Sequence, residues 1–70
     1  MKFMLVIYAC SVVYGACGEG VQDQELYDTH KECVLAGYES SIEAINILEE
    51  SLVNQEKIFF KFYCLFTANT

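Results

Sequence analysis

Four cysteines, one histidine and ten carboxylates are the side chains of this 70-residue chain that could carry chemistry. Cys33, Cys64 and His30 would be the core of any metal site, but one histidine and two cysteines fit for a disulfide make no ligand set with zinc-type spacing. No metal and no cofactor are expected. Glu49 and Glu50 are adjacent, so on a helix they point in different directions and read as a solvated face rather than a catalytic pair. Ser40 and Ser41 read as helix-cap residues; no G-x-S-x-G, phosphate loop or nucleophile with a nearby base is present, which argues against an enzyme. His30 could act as a switch near neutral pH. Its place on the face of Leu26 and Cys33 reads first as packing.

The elements that would position these groups begin with the first eighteen residues. Lys2 precedes an apolar run over residues 3–14, and the small residues Gly15, Ala16 and Gly18 follow. A basic start, an apolar middle and a small-residue exit mark a secretory signal peptide. The run is shorter than the roughly 20 residues a membrane span needs. Cleavage after Gly15, Ala16 or Gly18 fits the pattern. A cut after Gly18 makes residues 1–18 the leader and removes Cys10 and Cys17 together, leaving Cys33 and Cys64 as an even pair. A cut that keeps Cys17 leaves a free or intermolecular thiol. Tyr14-Gly15-Ala16-Cys17 also faintly resembles a bacterial lipoprotein site, with Tyr14 where an aliphatic residue is usual.

Residues 19–70 would then form the mature chain, carrying all ten acidic residues against Lys31, Lys57 and Lys61. So acidic a chain disfavours nucleic acid and anionic membranes as partners and fits a secreted, extracellular protein. It has no proline, no linker and no repeat, so one domain or part of one is the most it holds. At this size a hydrophobic core alone rarely suffices. A secreted chain allows disulfides, and a Cys33–Cys64 bridge closing a loop of about 30 residues would be worth about 3.5 kcal/mol in the chain-entropy model.

Periodicity predicts three helices. In "QDQELYDTHKECVLAG" the residues Leu26, His30, Cys33, Val34 and Gly37 share one helical face, and Gly37 is a plausible stop. Ser40 with Glu43 matches a capping box for a second helix, whose stripe is Ile42, Ile45, Leu48 and Leu52, with Ile47 outside it. Asn54 could cap a third helix running from about Gln55 into "FFKFYCLF". Such a helix would be apolar all round and would need more protein to cover it, from further chain or from a partner.

The stretches "HKECVLAG", "SSIEAI" and "LVNQEKIFFKFYCLF", in that order, resemble the N-terminal half of an insect odorant-binding protein of the pheromone/general odorant-binding family. The resemblance covers about residues 22–66 and ends before "TANT". It implies that Cys33 and Cys64 are the family's first and third cysteines, which are bonded to one another. The second would fall at Phe60, as in the minus-C subgroup that lacks the second and fifth. The implied fold is all-α: a signal peptide followed by about three helices, residues 19–70 being a truncated N-terminal half of a six-helix, disulfide-linked bundle.

The implied function is that of a secreted carrier for small hydrophobic molecules such as odorants or pheromones. Phe59, Phe62, Tyr63 and Phe66 would be the candidate cavity residues, with Phe62 and Phe66 facing the ligand and the Tyr63 hydroxyl as polar anchor. The alternative is a short secreted acidic interaction peptide that forms a homodimer or docks on a partner through its apolar C-terminal helix. Neither reading involves the membrane in the mature form.

Overall fold

A computed structural model describes residues 2–67 of the chain. Its centre is a strand, β1 (Lys2–Ser11). The strand β4 (Ile58–Thr67) pairs with β1 antiparallel along its whole length, from Lys2↔Thr67 to Ser11↔Ile58, without a register break. On the other side of β1 lie β2 (Ala16–Cys17) and β3 (Val21–Tyr27), both antiparallel to it. A register shift between Met4 and Val6 marks an irregularity on the β3 side.

Because β3 and β4 both oppose β1, they run parallel to one another, and the chain between them must cross the sheet. Helices α1 (His30–Ile47) and α2 (Glu50–Glu56) make that connection. Thr29 caps α1: its Oγ1 accepts the Glu32 N–H at 3.1 Å and donates to Glu32 Oε1. Thr29 and Glu32 are the residue types of a capping box. The buried stripe of α1 is Cys33 and Gly37, continued by half-buried Ser40, Ser41 and Ala44, a helical period against the sheet. After α2, Lys57 takes a left-handed conformation (φ 52°) and its N–H closes on the Val53 carbonyl, which turns the chain into β4.

The expectation of an all-α, all-helical chain is overturned. Residues 22–27, placed in a first helix from sequence, lie in β3; "FFKFYCLF" lies in β4, not in a third helix. Gly37 and Ser40, read as a helix stop and a new cap, lie inside one continuous α1. The reason is a neighbour distant in sequence. β1 satisfies one whole edge of β4, and alternation then sends Ile58, Phe60, Phe62 and Cys64 to one face and Phe59, Lys61, Tyr63 and Leu65 to the other. A run that is apolar on every side of a helix is simply two-faced in a strand. The helical bundle that the odorant-binding resemblance implied is not the fold these residues adopt.

Two disulfides staple the fold, Cys33–Cys64 between α1 and β4 and Cys10–Cys17 across the β1–β2 pair. The core around them is small. Leu5 and Cys33 are fully buried and Cys10 nearly so. Residues 2–11, within the leader expected over 1–18, here form the strand that β2, β3 and β4 all pair with.

Gly37 sets the spacing between α1 and the sheet. A Cβ at this position would lie 2.5 Å from the ring of Phe62, too close for any side chain. Gly37→Ala would gain about 1 kcal/mol of helix propensity but would incur an overpacking cost of about 1–3 kcal/mol. The variant is expected to be the less stable protein, with a lower urea midpoint at unchanged slope; a raised midpoint would show that the approach of α1 is not limiting.

Candidate docking surface

Opposed residues of an antiparallel pair share a face, so the register sorts the side chains of the sheet. Phe3, Leu5 and Ile7 lie with Phe66, Cys64 and Phe62 on the face that α1 covers. There Tyr38 meets Phe62 edge-on at 5.0 Å, and Phe3 meets both Phe66 (5.4 Å) and His30 (5.7 Å). His30 itself is exposed.

The opposite face holds Met4, Val6 and Tyr8 beside Leu65, Tyr63 and Lys61, with Leu26 of β3 opposite Met4. Tyr8 and Tyr63 pack edge-on at 5.7 Å, and the Lys61 ammonium sits 5.7 Å from each ring. The stretch at Gly20 presses close to this face, where a Cβ would collide with Val6 and Tyr8 at 2.7 Å. Phe59, Tyr63 and Leu65 are left 44%, 50% and 46% exposed. Large apolar patches of this kind on a small protein mark places where another molecule binds.

The four aromatics singled out from sequence are therefore not one cluster. Phe62 and Phe66 lie on the helix-covered face, Phe59 and Tyr63 on the open one. Sequence reasoning assigned Met4, Val6 and Tyr8 to a leader, gave Ile42 and Ile45 only a place on a helix's apolar stripe, and did not single out Tyr38. The last three line an open trough of about 280 Å³ between α1 and β4, together with Ser41, Ile58, Phe59 and Phe60. A second trough of about 430 Å³ shares Tyr38, Ser41 and Phe60 and adds Val34, Lys61 and Phe62. The one available sequence signal was the density of aromatic residues around Lys61, which favours strand over helix.

The two outer edges of the sheet differ. Along β3 the edge carries Asp23 and Glu25 and borders the Met4/Val6 irregularity, both devices that discourage strand addition. Along β4 no acidic residue, proline or bulge interrupts the strand, and Lys61 is its one charge. All ten acidic residues lie outside β1 and β4.

Among the described residues, no three His, Cys, Asp or Glu side chains come together as metal ligands. Glu49 stands just before α2 without a side-chain capping bond, and Glu50 opens the helix. Ser41 donates to the Gly37 carbonyl at 2.8 Å, a bond within the helix. Electrostatic contacts instead fasten the β3–α1 corner. Lys2 pairs with Asp28 and holds that carboxyl below its usual range through a hydrogen bond and its charge. The Tyr27 hydroxyl donates to Asp23 at 2.9 Å. Burial first, then the Asp23 hydrogen bond and nearby carboxylates, push the Tyr27 phenol up to about 12.

No protein-family model, curated protein or solved structure matches this chain.

A phenol whose folded pKa is raised contributes stability that is complete below its unfolded value near 10 and is lost as pH rises through about 12. Stability is therefore expected to fall between pH 10 and 12, and Tyr27→Phe to flatten that fall. An ultraviolet phenolate titration should lose its last step in the same variant; an unchanged last step would assign the high-pH titration to another tyrosine.

Proposed function

We propose that this chain is a disulfide-stapled interaction protein that acts in the extracellular space and docks a polypeptide partner on β4, with no chemistry of its own. The observation that carries the proposal is β4 itself: an edge strand of aromatic residues whose outward side chains Phe59, Tyr63 and Leu65 are about half exposed. An edge of this kind accepts an added strand through main-chain hydrogen bonds, with side-chain pockets supplying selectivity. The troughs beside Tyr38, Ile42 and Phe60 are placed to act as such pockets. Two disulfides are compatible with an oxidising compartment, and among the described residues no helix is long and apolar enough to cross a membrane. The carrier reading has no comparable support, since the troughs are open to solvent and the bundle that would have closed a cavity is absent.

Selection of short extended peptides against the oxidised chain is expected to enrich apolar, aromatic sequences. Their binding should weaken at least tenfold in Leu65→Glu and Tyr63→Glu, both at exposed positions. Enrichment of no sequence, or binding indifferent to both variants, would sink the proposal.

The leader proposed for residues 1–18 and the β1-centred sheet cannot coexist in one mature molecule. The docking proposal uses the sheet, so the exported product is expected to retain β1 and to gain four hydrogens on reduction, two for each bridge. A product beginning near Glu19 and gaining two hydrogens would establish the leader and remove the surface proposed here.

A further inference from the structure

Resting on that reading, we propose that the partner on β4 is a second copy of this chain, joined antiparallel edge to edge about a two-fold axis at Phe62. Three independent observations lead to it.

The first is register. An axis at Phe62 sets Ile58 against the second copy's Phe66, Phe59 against its Leu65, and Lys61 against its Tyr63. Apolar residues then meet apolar ones, and each lysine meets a tyrosine of the kind it already approaches within its own chain at 5.7 Å. An axis at Lys61 would oppose like charges, which destabilises a strand pair. An axis at Tyr63 would set Lys61 against Leu65.

The second is shape. Phe66 is on the helix-covered face and is 59% exposed. Ile58, opposite it across the axis, belongs to the apolar trough with Tyr38, Ile42 and Ile45. The second copy's Phe66 is thereby carried to the trough of the first, and the reverse holds by symmetry. An isologous contact needs this kind of self-complementarity.

The third is charge. The chain carries a formal charge of −6, and two copies repel unless they meet where acidic residues are missing. β1 and β4 form that region, with Lys2 and Lys61 as their only charged residues. The product would be one continuous sheet of two protomers with both α1 helices on the same side.

Sedimentation equilibrium of the oxidised full chain, from low to high micromolar concentration, tests this directly. A reversible species of twice the chain mass is expected, and Phe66→Asp should raise its dissociation constant at least tenfold with the circular dichroism spectrum unchanged. Should that variant fail to fold, Ile42→Asp, at a helix position 61% exposed, is expected to act alike. A photo-crosslinking residue at position 66 should join the second copy within residues 38–45. A dimer that survives both variants and cross-links elsewhere would overturn the arrangement. A chain monomeric throughout would overturn self-pairing; if selected peptides still bound it and lost binding in Leu65→Glu, the docking function would stand with a different partner. Monomeric behaviour with no peptide bound would remove both.

Discussion

The antiparallel ladder between β1 and β4 is the constraint from which the rest of the structure follows. It joins the two ends of the described chain over ten consecutive residue pairs. By occupying the middle of the sheet, β1 also forces β3 and β4 to its two sides, and the segment between them has to cross one face. That crossing is α1, and its position decides which face of the sheet is covered and which is open. The ladder brings Cys64 under Cys33, and the bridge then fixes α1 to the sheet at the point where Gly37 permits the closest approach to Phe62. Loop closure between residues so far apart is costly in entropy, and the covalent link offsets part of that cost in a chain with few fully buried side chains.

Covering one face leaves the other exposed, and the chain handles its two edges unequally. Acidic residues and an irregular register guard β3, whereas β4 is regular, aromatic and charge-poor. Proteins that must stay monomeric usually protect every edge. An edge guarded by a single lysine, beside apolar troughs and in a chain that otherwise segregates its acids away from that strand, is consistent with a surface used for association. The cation–π contacts of Lys61 fit the same view, since they draw its charge over Tyr8 and Tyr63.

Some of this was legible in the residues. The octet "FFKFYCLF" demanded cover, and its cover proved to be β1 on one edge and α1 on one face. The role of Thr29 was legible in principle, because Thr29-x-x-Glu32 is a capping-box sequence, but Ser40 and Glu43 offer the same pattern. Local chemistry does not rank the two; the helix simply continues through the second. The candidate surface was half legible. Phe62 and Phe66 were set apart from Phe59 and Tyr63 in the sequence as cavity-facing, but on a helix; the pleat of β4 is what sends the two pairs to opposite faces.

The sequence by itself determined the charge, the small size that calls for covalent staples, the even set of cysteines and the presence of an apolar segment too large to stand alone. Tertiary structure alone decided that residues 2–11, 21–27 and 58–67 are strands. In residues 2–11 and 58–67 a run apolar at nearly every position has no period from which to choose between helix and strand, and the polar residues 22–25 make residues 21–27 no clearer. A strand is satisfied only by a neighbour, and here each neighbour comes from another part of the chain. The choice therefore resides in the pairing of β1 with β3 and β4, not in any one of the segments that pair.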